Sequence, residues 1–114
     1  MKELRSESCV ACRADAPRVD GTEQPLLLAK VPAWSVIEID GIERLLRTYK
    51  LPNFVTALEL TNAIGRVAEE QNHHPAITVE WGRVTVQWWT HKIRGLHRND
   101  FVMAARSDAL FGEA

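Results

Sequence analysis

Ile77-Thr78-Val79-Glu80-Trp81-Gly82-Arg83-Val84-Thr85-Val86-Gln87-Trp88-Trp89 is the stretch that decides the fold. Ile77, Val79 and Trp81 alternate with Thr78 and Glu80. Beyond Gly82, Val84, Val86 and Trp88 alternate with Thr85, Gln87 and Trp89. Side chains of a strand leave on opposite faces in turn, so each half reads as a strand with one face for a core. Gly82 supplies the turn, and the whole stretch is a β-hairpin.

Working back from it, Phe54, Ala57, Leu58, Thr61, Ile64, Gly65 and Ala68 recur at helical spacing. An amphipathic helix therefore runs to about residue 71, with Pro52 ending what precedes it and Asn53 as its cap. Before it, Trp34–Ile39 is rich in β-branched and aromatic residues, and Asp40-Gly41 is a strong two-residue turn signal. Ile42–Tyr49 is the return strand, with Leu45 and Tyr49 on one face and Leu46 and Thr48 on the other. Further back, Thr22 is the expected cap of a short helix holding Leu26, Leu27 and Leu28, which Pro32 closes. Downstream, Gly95 marks a loop, and a last helix from about His97 to Phe111 offers Phe101, Ala104, Ala105 and Leu110 for burial.

The order helix, hairpin, helix, hairpin, helix implies an α+β fold: a four-stranded antiparallel sheet of two hairpins with three helices packed on one face. Residues 1–20 are polar and aperiodic and read as a flexible N-terminal arm, leaving 21–114 as a single domain. With 114 residues the core is thin. Self-association into a dimer or tetramer is therefore expected, through a sheet edge or the apolar set Phe101, Ala104 and Leu110.

Hydrophobic residues make up 46% of the chain and charged residues 25%, as in an ordinary soluble domain. A formal charge of −1 gives no electrostatic footing for a nucleic-acid or membrane partner. No apolar run has the length of a membrane span, and Met1–Glu7 lacks the apolar stretch of a secretory signal. A cytoplasmic location is the default. The two cysteines, Cys9 and Cys12, fit a reducing compartment.

All four histidines fall between residues 73 and 97. His73 and His74 stand at the end of the long helix, before Pro75 forces an extended backbone. His91 follows the last strand. Histidine exchanges protons near neutral pH, and Trp88 or Trp89 offers an apolar wall for a flat ring. Other readings stay open. A histidine at a helix C-terminus can simply answer the dipole and the free carbonyls. Three histidines can hold zinc, although neighbours in extended chain point apart. Cys9-x-x-Cys12 can be half a zinc site or a redox pair, with no second such motif to complete it. Asp100 can favour the N-terminus of the last helix or orient a histidine.

Together, Glu70-Gln71-Asn72-His73-His74-Pro75, Trp89-Thr90-His91 and Gly95-Leu96-His97-Arg98-Asn99-Asp100 resemble the signature of the pterin-4a-carbinolamine dehydratase family. The resemblance runs from about Thr22 to Phe111. Cys9-x-x-Cys12-x-x-Asp15-Ala16-Pro17 and Trp88-Trp89 look like the bacterial branch associated with phenylalanine hydroxylase.

The resemblance implies a hydro-lyase acting on 4a-hydroxytetrahydrobiopterin, without metal or organic cofactor, in recycling pterin spent by an aromatic amino-acid hydroxylase. It makes His73, His74 and His91 the catalytic histidines, and His74, Pro75, Trp89 and Asp100 the groups around the pterin carbinolamine. Some animal members also bind a homeodomain transcription factor. Lys92-Ile93-Arg94 departs from those members, which weakens the transfer of that role. The alternative function is a protein-binding module without catalysis, serving a hydroxylase or a transcription factor.

Overall fold

In the computed structural model, which describes residues 3–9 and 17–112, the chain runs α1 (Glu23–Leu28), β1 (Ser35–Ile39), β2 (Ile42–Lys50), α2 (Phe54–Gln71), β3 (Ala76–Glu80), β4 (Arg83–Trp88) and α3 (Arg98–Phe111). The four strands form one antiparallel sheet in the order β1-β2-β4-β3, so the two hairpins meet along β2 and β4. Leu45 lies opposite Trp88 and Tyr49 opposite Val84. These four and Val86 are buried on one face, where α2 and α3 cover them. The α+β reading holds in element order, strand direction and buried face.

Both turns are built as tight hairpins. Asp40 and Gly41 take φ of 53° and 77°, the two positive values that a turn matching strand twist needs. Trp81, expected to close a strand, instead occupies the second turn and is 72% exposed. Gly82 has φ of 74°, its carbonyl accepts from the Leu51 amide, and a Cβ there would meet Leu51 O at 3.2 Å. Glu80 pairs with Arg83, so Trp81 and Gly82 form a two-residue turn and β3 ends at Glu80.

The core side of α2 is narrower than its spacing suggests. Ala57, Leu60, Ile64 and Ala68 are buried, whereas Phe54 and Leu58 are exposed. At about 100° per residue, Phe54 and Leu58 lie roughly 75° and 115° around the helix from the centre of that stripe. Asn53 caps α2 as expected, accepting from the Thr56 amide at 2.9 Å. Thr22 does not cap α1. It is already helical, and Asp20 accepts from the Thr22 and Glu23 amides instead, at 2.9 and 2.7 Å.

On α3, Phe101 and Ala104 are wholly enclosed by their own chain. The expectation that they serve an interface is corrected, because the helix spends its apolar face on the sheet. Near its end, Asp108 accepts from Trp34 Nε1 (3.0 Å), Arg47 (2.6 Å) and the Tyr49 hydroxyl (2.6 Å), fastening α3 to β2. Residues 3–9 lie against α3. Leu4 is buried, the Glu7 carboxylate takes a two-pronged bond from Arg98, and the Glu7 carbonyl accepts from Arg106. Glu7 also raises the Arg98 guanidinium above its already high range. Among the described residues, no helix is long and apolar enough to cross a membrane.

Candidate active site

The site begins where α2 stops. Asn72 takes a left-handed φ of 52°, and the next amide, of His73, returns to the Ala68 carbonyl at 3.1 Å. This is the usual way a helix end satisfies its orphan carbonyls while turning the chain. The turn sends His73 inward and His74 outward.

His73 is 9% exposed and stacks on Trp88, ring centres 5.6 Å apart and planes 9° from parallel. Its Nε2 lies 2.6 Å from Asp100 Oδ1. A carboxylate only accepts, so the proton sits on Nε2, and Nδ1 is the ring nitrogen left to give or take another.

Asp100 is completely buried. Its Oδ2 accepts from the Thr90 hydroxyl at 2.8 Å and from the His97 amide at 2.9 Å. The residue is the third of α3 and closes a capping box, while His97 Nδ1 accepts from the Asn99 amide at 3.0 Å. Both sequence readings of Asp100 are therefore met in one side chain: it caps the helix and orients a histidine. With its oxygens engaged inside the protein, it reaches any bound molecule only through His73.

His74 is exposed and pairs through Nε2 with the Glu69 carboxylate one turn back on α2. Pro75 is half-buried and leads into β3. His91 opens a short 3-10 turn, His91–Ile93, and its exposed imidazole packs on Trp89 at 4.5 Å. Thr90 and Gly95 bond to each other across this turn, at 2.9 and 3.4 Å, which holds the loop carrying His91. No hydrogen bond or ring contact joins His73, His74 and His91 to one another. His73 and His91 are instead linked through Thr90, which bonds Asp100 and is followed in sequence by His91.

Thr90, Glu69 and the capping role of His97 escaped the sequence reading. Thr90 had a signal: continued alternation after Trp88 points it to the buried face. Cys9 also lies here, its amide donating to Gln71 Oε1 at 2.7 Å and its sulfur 4.0 Å from the Asn99 carbonyl. Burial, and then the charge of Asp100, push its thiol up to about 11, with Arg106 pulling the other way. Cys12, the other half of the Cys-x-x-Cys reading, lies outside the described residues. Among the described residues, no three His, Cys, Asp or Glu side chains gather as a metal site requires.

Fold and geometry together define a class: a small α+β domain with an oriented, nearly buried histidine at the junction of α2, β4 and α3. A family model described as pterin 4 alpha carbinolamine dehydratase matches residues 17–110, and the chain belongs to that family. A relative from Marinobacter nauticus is 54% identical over 97% of this chain and all of its own length. Another from Syntrophotalea carbinolica is 52% identical over 96% of this chain and 98% of its own. Both carry pterin-4-alpha-carbinolamine dehydratase as a provisional name.

Among solved structures, a transcriptional coactivator/pterin dehydratase from Brucella melitensis superposes with a TM-score of 0.76 at 29% identity. The match covers 84% of this chain and all of that one. A pterin dehydratase-like protein identified as a RuBisCO assembly factor in the alpha-carboxysome shares the fold, with a TM-score of 0.62. At 19% identity over 72% of this chain and 93% of that one, it speaks for the fold alone.

Proposed function

We propose that this chain eliminates water from 4a-hydroxytetrahydrobiopterin to give quinonoid dihydropterin, by histidine acid–base catalysis in tetrahydrobiopterin recycling. The observation that carries this reading is the His73–Asp100 contact in a family named for the dehydration. A buried carboxylate that fixes the ring and one tautomer is how proteins prepare a histidine for proton transfer.

In the reaction the C4a–oxygen bond breaks and the hydroxyl leaves, with an added proton, as water. N5 gives up its proton and the C4a=N5 double bond forms, so no electrons are exchanged with the protein. His73 and His91 are the proton donor and acceptor, and His74 binds and orients the pterin ring beside Pro75 and Trp89. Positioned groups of this kind contribute about 10²–10⁴-fold, which suits an undemanding elimination. A cytoplasmic site of action, a homo-oligomeric state and a functional link to an aromatic amino-acid hydroxylase complete the reading.

The second reading is a protein-binding module. The exposed apolar side chains Phe54, Val55, Leu58 and Trp81 favour it, as do the two roles, coactivator and dehydratase, in the name of the Brucella melitensis protein. The test is ultraviolet absorbance of freshly generated carbinolamine mixed with purified protein. Dehydration faster than the spontaneous rate is expected. A rate equal to that without protein overturns the enzymatic reading and leaves the binding module.

A further inference from the structure

The mechanism uses His91, yet among the described residues no hydrogen bond holds that imidazole. What holds it lies on the sheet face away from the helices. The β2–β4 register sets Leu45 opposite Trp88, so its next step sets Arg44 opposite Trp89. Both side chains leave on the outer face by the strict alternation of the pleat. There the Arg44 guanidinium carbon stands 3.9 Å from the centre of the Trp89 ring, and Trp89 in turn carries the His91 ring at 4.5 Å, tilted by 33°. Arg44 is steadied by a bond from Nη1 to Gln87 Oε1 at 3.3 Å.

One feature of Arg44 separates this stack from a chance surface contact. Its Nε is buried and has no hydrogen-bond partner among the described residues. A long arginine at a sheet surface can avoid that penalty by swinging its head into water. It instead keeps its guanidinium carbon over the indole and its Nη1 on Gln87.

We infer that Arg44 and Trp89 are positioning residues for His91, forming a guanidinium–indole–imidazole column that fixes the plane of its ring. This rests on the proposed role of His91 in proton transfer, and it alters the part expected of Trp89. An indole committed to Arg44 and His91 holds the catalytic group; it is not the wall on which the pterin lies. Stacking needs a flat cation, which arginine supplies and lysine does not.

The experiment compares Arg44→Gln, Arg44→Lys, Trp89→Phe and Trp89→Ala in the dehydration assay. Side-chain NMR of the His91 imidazole protons is recorded on the same proteins. Arg44→Gln is expected to lower kcat about three- to tenfold, the scale of one partly desolvated cation–π contact, with KM changed less than twofold. Arg44→Lys should not restore the rate, Trp89→Phe should keep most of it, and Trp89→Ala should lose at least as much as Arg44→Gln. The ring-current shift of His91 should fall in Arg44→Gln and vanish in Trp89→Ala, with circular dichroism unchanged.

Full rescue by Arg44→Lys, or His91 shifts untouched by Arg44→Gln, would overturn the inference. So would a Trp89→Ala protein that raises KM at constant kcat, the sign of an indole that binds substrate directly. His91→Ala separates the two claims. If it keeps wild-type kcat, the proton-transfer role of His91 falls, while the NMR shifts still decide whether the column orders the ring.

Discussion

Asp100 shows how one side chain can join folding to chemistry. Its carboxylate accepts from His73, Thr90 and the His97 amide, so replacing it disturbs the helix start and the histidine together. Asp100→Asn turns one acceptor oxygen into a donor facing other donors. It is expected to lower kcat roughly 10–100-fold, as removal of an orienting partner does. It should also cost about 1–3 kcal/mol of stability for a buried unsatisfied group. Assay and urea unfolding read the two effects, and unchanged kcat in a destabilised protein would leave Asp100 a cap only.

Cys9 gives a residue-scale prediction in pH. A thiol near 11 holds roughly one part in a thousand as thiolate at pH 8, about a hundredfold less than an unperturbed one at 9.0. Alkylation followed by peptide mass mapping should therefore show Cys9 reacting slowly in the folded protein and fast in denaturant. Because burial raises the folded pKa, the neutral form's contribution to stability is full below pH 9 and fades as pH rises toward 11. Equal alkylation rates in native and denatured protein would contradict the part-buried placement of Cys9.

At this scale the sequence was legible in kind and not in pairing. His73, His74, His91 and Asp100 announce themselves as residue types at element ends. That Asp100 meets His73 and not His91, and that Glu69 meets His74, depends on how α2 and α3 lie together, which periodicity does not encode.

The elements were legible almost throughout, because turns and alternation are local. Asp40-Gly41, Asn53 and the two alternating runs each fix their structure within a few residues. What failed needed a partner from elsewhere. The stripe of α2 shifted toward Leu60 because the sheet is met by the Ala57–Leu60–Ile64–Ala68 line. Trp81 left its strand because the β3–β4 register pairs Glu80 with Arg83, which leaves Trp81 and Gly82 as the two turn residues.

The end of α2 carries the element-scale prediction. Asn72 takes a left-handed conformation directly before His73. Asn72→Ala should cost about 1–2 kcal/mol, the penalty of a Cβ in that region, and Asn72→Gly should be near neutral. Urea unfolding measures both. Equal stability of the Ala and Gly variants would mean that backbone conformation is not what Asn72 contributes.

For the whole molecule, one small core supports the fold, and side chains such as Trp81 and Val55 remain in water. Self-association would cover such groups, and a dimer or tetramer is expected in sedimentation at micromolar concentration. A monomer throughout would contradict the homo-oligomer. Phe101 and Ala104 of α3 are spent on the core and are not available to such an interface, whereas Leu110 on the same helix stays exposed. A thin core is visible in chain length, but which apolar residues it consumes is settled only by packing.

Catalysis by this chain depends on the histidines as proton-transfer groups. The most direct measurement is kcat for carbinolamine dehydration by folded His73→Ala, His91→Ala and double variants beside the parent protein. Each single change should lower kcat by roughly tenfold to a thousandfold, since one proton-transfer partner is lost and the other still acts. The double variant should lose less than the product of the two if they work as a unit, and its turnover should approach the spontaneous rate. Two folded single variants that both keep the parent kcat would contradict the mechanism.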